Sequence, residues 1–298
     1  MNVLELFNEN YGWYKGNLHA HTNISDGVLS PLEAISLYEK NGYNFLSLTD
    51  HRIASNERVY PNFLVLSGIE MHVNDYTTRK AYHIIGVGFE GEVKYYENRT
   101  PQELIDIIMQ HNGLAILAHP SWSLLTHQDA LTLKGYHGIE IFNTISETKS
   151  NRGNSIEYVD TVASKGLIKL IFAVDDTHHY SEDLFGGYIM VNSPSLDRVN
   201  ILQNIKDGNF YATQGPQIKQ ITVENREIFV ETSPVVQVSF MSDDFYNDKR
   251  VVKSRREFLT SANYECSERD NWVRIECMDV DGKKAWSQYI KISQIFNN

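Results

Sequence analysis

Along residues 1–214, short apolar runs alternate with longer amphipathic ones. The runs at 45–48, 63–66, 83–87, 114–118, 138–142 and 168–174 have the length and continuity of strands buried on both faces. Helical segments with recognisable starts and stops lie between them. Ser30-Pro31-Leu32-Glu33 supplies an N-cap, a proline at the first helical position and an acid at the third, and Gly42 closes the segment. Thr100-Pro101-Gln102-Glu103 repeats the device and Gly113 ends it. Two further helices are predicted over 154–165, before Gly166, and 195–207, before Gly208. The alternation predicts an α/β domain.

From about Gly215 the pattern changes to β-branched alternation at 221–223, 228–230, 235–240 and 272–277, with Asp281-Gly282 as a turn. The expectation is an α/β domain over 1–214 followed by a small antiparallel, β-sandwich-like domain over 215–298. No low-complexity linker separates the two, so they are expected to pack together.

Composition narrows the class. With 298 residues, 42% hydrophobic and 22% charged, the chain is an ordinary globular protein, which excludes a disordered, collagen-like or repeat-array reading. No apolar run approaches the roughly 18 residues of a membrane span, and residues 1–11 lack a basic cluster ahead of an apolar segment, so a cytoplasmic protein with no membrane partner is expected. Cys266 and Cys277 match no zinc or redox spacing and are read as core thiols. Net charge is −11, and residues 1–214 carry ten of those charges, which argues against a basic face for long nucleic acid. All 11 histidines lie between His19 and His179. The first part of the chain therefore uses imidazole.

Almost every predicted strand of that part runs into a potential metal ligand. In order they are His19-Ala20-His21 with Asp26, then Asp50-His51, Glu70, His83, His119, Glu140, and Asp175-Asp176-Thr177-His178-His179. In α/β barrels the carboxyl ends of parallel strands share one face, so such residues converge there. His19 and His21, two apart on an extended strand, point to the same side, and Asp176 and His178 repeat the spacing. Imidazole and carboxylate without cysteine suit Zn, Mn or Fe. Nine candidates exceed the needs of one tetrahedral ion and imply two or three divalent ions, with Glu70 as a bridging carboxylate and water ionised near neutral pH as the nucleophile.

Asn17-Leu18-His19-Ala20-His21-Thr22 with Asp26-Gly27, Leu48-Thr49-Asp50-His51, Gly68-Ile69-Glu70, His83, Ala118-His119-Pro120 and Asp175-Asp176-Thr177-His178 together resemble the polymerase and histidinol phosphatase (PHP) family of metal-dependent phosphoesterases. Segments 119–123, 138–143 and 208–216, with 272–276 and 285–287, resemble a bacterial subgroup with a C-terminal β domain, so the similarity covers nearly the whole chain. It implies a distorted seven-stranded (β/α) barrel with a trinuclear metal centre. His19, His21, Glu70 and Asp176 would hold one ion, Glu70, His83 and His119 a second, and Asp26, His51 and His178 a third.

Beside these ligands, Asp50 is expected to orient a ligand imidazole or to exchange a proton, and Arg52 to grip a phosphoryl oxygen or pair with an acid. Glu140 and Asn143 are candidates for the pocket lining, and Trp122 for stacking or packing. Asp175 is expected to ligate, to hydrogen-bond a ligand or to cap the strand, and His179 to be a neighbour. His72, His111, His127 and His137 have no spacing argument. The expected function is hydrolysis of a small phosphomonoester or short phosphodiester by a metal-bound hydroxide. Hydrolysis of a carbamate, amide or carboxylic ester is the first alternative, and a non-catalytic binding or scaffold protein the second.

Overall fold

A computed structural model describes residues 3–292. Its helices follow the capping signals. Helix α1 (Pro31–Lys40) and α2 (Pro101–Gln110) each begin with a complete capping box, on Ser30/Glu33 and Thr100/Glu103. Two short helices not foreseen, α3 (His127–Thr132) and α4 (Thr144–Ser150), precede the expected α5 (Ile156–Ser164) and α6 (Arg198–Lys206).

The strands form three sheets. A five-stranded sheet runs in the order Leu170–Val174, Gly138–Asn143, Leu114–Leu117, Lys80–Val87 and Gly68–Asp75. Lys80–Val87 is antiparallel to both its neighbours, so a ligand that other strands present at their ends is here presented near the start. In the eleven-stranded sheet, Gly12–Asn17 runs parallel to Phe45–Ser47, which runs parallel to Phe63–Leu66. On its other side Gly12–Asn17 pairs antiparallel with Tyr188–Ser193, and the sheet continues through Phe210–Thr213 to Lys284–Ser287 and Trp272–Met278. One sheet therefore crosses the 214/215 division. The third sheet joins Leu4–Glu5, Ile218–Glu224, Glu227–Val235 and Leu259–Glu265, all antiparallel.

The strands expected to close one seven-stranded barrel are divided between the five-stranded sheet and one end of the large one. The two meet at isolated parallel bridges, Ala20–Thr177 and His51–Glu70, not through continuous ladders. The break has a local cause: Arg52 and Asp176, next to those bridges, hold left-handed φ values of 63° and 55°, which end a regular strand. The C-terminal strands bury Ile221, Val230, Val238, Phe240 and Ile275 together with Cys266 and Cys277, which are free thiols as expected.

Arg274, on Trp272–Met278, ties the C-terminal part to α5. Its fully buried guanidinium makes two hydrogen bonds to Asp160, at 3.0 and 2.7 Å, and the Tyr289 hydroxyl donates to the same carboxylate at 2.9 Å. Removing one partner strands a buried charge, which costs about 3–5 kcal/mol. Asp160→Ala is expected to lower unfolding free energy by that order in urea titration, and Arg274→Met by less, because the Asp160 carboxylate it leaves behind is partly exposed and keeps the Tyr289 hydroxyl.

Candidate metal centre

All nine candidate ligands converge at one end of the strands. The His19 and His21 Nε2 atoms lie 3.1 Å apart, with Asp176 Oδ1 at 3.0 and 3.1 Å and Glu70 Oε2 at 3.5 and 3.1 Å from them. His83 Nδ1 is 2.7 Å from Glu70 Oε1, and His51 Nδ1 is 2.8 Å from Glu70 Oε2. His119 Nε2 stands 3.6 Å from Glu70 and 3.8 Å from Asp176. Asp26, half exposed, faces His21, His51 and His178 at 3.5–3.6 Å. Ligand atoms within 4.8 Å of one another form three overlapping groups: His19, His21 and Asp176; His51, Glu70 and His83; and His21, Asp26, His51 and His178. His51 thus lies with Glu70 and His83 as well as with Asp26.

Charge in this cluster is strongly coupled. Burial works against an imidazolium at His19, yet Asp176, Glu140 and Glu70 hold it well above the usual histidine range. The same opposition, with Asp176 and Glu70 as partners, puts His21 at about 9. Burial would raise Glu70 and Asp176, but the surrounding imidazoles hold both well below the usual carboxylate range. Glu70 Oε2, Asp176 Oδ1 and His51 Nδ1 are buried and meet ring nitrogens or each other at 2.8–3.5 Å without hydrogen-bond geometry. Orphaned atoms of this kind cost about 1–3 kcal/mol each. Divalent cations bound between these atoms and the neighbouring imidazoles would satisfy them, and the imidazole and carboxylate donor set fits such ions. His119 and Asp176 also sit at left-handed φ, 26° and 55°, and backbone strain of this kind clusters where function over-determines the geometry.

No protein-family profile matches the chain. A two-domain protein from Bacteroides vulgatus, described as containing a predicted PHP-like metal-dependent phosphoesterase, superposes with a TM-score of 0.54 at 12% identity over 95% of this chain and 96% of that one. The fold is that of this two-domain PHP-like protein. An amidohydrolase from Chromobacterium violaceum overlaps 65% of this chain and 96% of its own at 15% identity, with a TM-score of 0.43. In sequence, a 5'-3' exoribonuclease of Haemophilus influenzae is 33% identical over 85 residues, 26% of this chain and 29% of that protein, so the match spans under a third of that relative.

Around the cluster, a shell of buried polar side chains orients the candidate ligands. Glu140 does not line the cavity: one oxygen meets His19 Nδ1 at 2.7 Å, and the other accepts from the His119 backbone N–H at 2.8 Å and from Asn143 Nδ2 at 2.9 Å. Asn143 Nδ2 also donates to Asp176 at 3.0 Å, while Asn143 Oδ1 caps α4. The Ser123 hydroxyl, 2.9 Å from His119 Nδ1, leaves that residue's Nε2 for the cluster.

Asp50 touches no ligand imidazole. It accepts from the Thr22 N–H and hydroxyl, both at 2.7 Å, and from the Ser25 hydroxyl at 2.8 Å, and so braces the turn that carries Asp26. Arg52 donates to His72 Nε2 at 2.8 Å and lies over the Tyr95 ring, in a groove outside the cavity. Asp175 is a buried acceptor for Tyr38, Thr144 and Gly186, and its burial raises it to about 6. His179 stands outside the ligand groups, with its N–H on Asp183.

Two residues were missed. His72 stacks on His83 at 5.0 Å, and Glu70-x-His72 carries the same two-residue spacing as His19-x-His21, a signal present in the sequence. Lys149 lines the cavity from α4, a seven-residue helix too short to show a clear apolar periodicity.

Glu140→Gln replaces the acceptor on His19 with an amide, and is expected to weaken divalent-ion affinity about 10–100-fold, read as retained metal after dialysis against a chelator. Because His19 and His21 keep protons at neutral pH, ion uptake must release them. Affinity is expected to climb with pH up to about 9, where His21 loses its proton, with buffer-dependent enthalpy in calorimetry reporting the release.

Proposed function

We propose that the chain is a metal-dependent hydrolase of phosphoesters that acts on a small phosphomonoester or a short phosphodiester. The observation that carries this reading is the set of buried, hydrogen-bond-orphaned donors Glu70 Oε2, Asp176 Oδ1 and His51 Nδ1 at the floor of a cavity of about 330 Å³. Two or three ions of Zn, Mn or Fe would be held there. His19, His21, Glu70 and Asp176 would take one, Glu70 with His83 and His119 a second, and Asp26, His51 and His178 a third. When bound, they supply Lewis acidity and a water acidified to near-neutral pH.

The protein's own groups prepare the site. Glu140 and Ser123 fix the ring orientation of His19 and His119, Asn143 holds Asp176, and Asp50 fixes the turn bearing Asp26. Trp122, edge-on to His83 and His119, and Ile145 form an apolar wall for the leaving group. In this reading the two bridged sheets act as one distorted seven-stranded barrel over 1–214, and the β domain over 215–298 supports it. The small cavity and the acidity of residues 1–214 favour a compact phosphorylated substrate over long nucleic acid. A short phosphodiester draws on the similarity to the exoribonuclease. Two free, buried cysteines suit the reducing cytoplasm, and no described helix is long and apolar enough to cross a membrane.

One observation favours a second reading, hydrolysis of an amide, carbamate or carboxylic ester: Arg52 is engaged by His72 and Tyr95, away from where a phosphoryl group would sit. Assay of p-nitrophenyl phosphate and p-nitrophenyl acetate, before and after chelation and reloading, separates the two. Phosphoester turnover that vanishes on stripping, returns with metal and is abolished by Asp176→Asn is the expected outcome. Turnover of the acetate alone would transfer the assignment to the second reading.

A further inference from the structure

Of the described residues that line the cavity, Lys149 carries the one side chain with a fixed positive charge. Its position is not incidental. Helix α4 is locked to the cluster at its first turn, where Asn143 caps it and at the same time donates to Asp176 and Glu140. Ile145 and Lys149, four residues apart, and Ser146 share the face that this cap turns toward the cavity. The ammonium thus stands at a fixed helical offset from a candidate ligand.

Its partner is equally placed but weakly held. Lys149 Nζ lies 3.1 Å from Glu182, and both side chains are exposed, 47% and 74%. Glu182 belongs to the turn that follows His178. Asp183 pins that turn by accepting from the backbone N–H groups of His178, His179 and Ser181 at 2.7, 2.7 and 2.9 Å. An exposed pair of this kind contributes little by itself and yields readily to a better anion. The cluster below supplies no other lysine or arginine to balance an anionic substrate, since Arg52 faces the neighbouring groove.

We infer that Lys149 is the receptor for an anionic oxygen of the substrate, and that Glu182 occupies it until the substrate displaces the carboxylate. This rests on the hydrolase reading above and adds the substrate class: a compact ester carrying negative charge at the cavity mouth, with its apolar part against Trp122 and Ile145.

The test uses the metal-loaded full chain, with inorganic phosphate as the binding probe and p-nitrophenyl phosphate as substrate. Lys149→Gln is expected to weaken phosphate binding about tenfold, as loss of a hydrogen bond to a charged group does, and to raise KM while kcat and metal content hold. Lys149→Arg restores most of the affinity. Glu182→Gln moves the other way and tightens phosphate roughly two- to fivefold by removing the competitor. Opposite signs at two exposed positions are not produced by a merely structural role. Phosphate affinity unchanged in both variants overturns the receptor role and leaves the hydrolase reading intact. Phosphate binding that responds to both substitutions, in a protein that turns over no phosphoester, upholds the receptor and overturns the phosphoester reading.

Discussion

Two carboxylates, Glu70 and Asp176, are buried among imidazoles whose nitrogens approach them to 2.7–3.5 Å. An isolated buried carboxylate is expensive, and so is an isolated buried imidazolium. The cluster balances the two by favouring protons on His19, His21 and His119, and it still leaves three polar atoms without hydrogen-bond geometry. Much of the surrounding architecture follows from holding this arrangement together: the sheet ladders lapse into isolated bridges beside it, and His119, Asp176 and Arg52 take left-handed backbone angles there.

The shell that holds the cluster is built from elements distant in the chain. Glu140 and Asn143, on one strand, reach His19, His119 and Asp176 just past the ends of three others. Asn143 then caps α4, so the first turn of a cavity-wall helix is registered to the same side chain that orients a candidate ligand. The C-terminal strands touch none of this directly. They extend the large sheet through Phe210–Thr213 and fasten to α5 through Arg274 and Asp160, and so stiffen the face from which the ligands project.

The nine convergent residues were legible because most of their signals are local: His-x-His and Asp-x-His spacings and apolar runs beside several of them, joined by a resemblance distributed over the whole set. The helices with proline-led capping boxes were legible for the same reason. The roles of Asp50, Arg52 and Glu140 were not, because each is decided by a partner far away in sequence. Asp50 faces Thr22 and Ser25, Arg52 faces His72, and Glu140 lies 121 residues from the imidazole it orients. The barrel expectation assumed strands that close by continuous pairing. The structure joins two sheets at single bridges, a distinction that hydrophobic periodicity does not encode. The continuation of the large sheet past residue 214 was hidden likewise, since β-branched alternation reveals a strand but not its neighbour.

If divalent ions belong among the buried carboxylates and imidazoles of this cluster, the protein carries them in a fixed ratio. Metal content per chain, measured by plasma mass spectrometry on untagged protein, tests it most directly against a His19→Ala, Asp176→Asn double variant. Two to three equivalents of Zn, Mn or Fe are expected in the parent, with a marked loss in the variant. Sub-stoichiometric metal in the parent after reloading, unchanged by the double substitution, would contradict it.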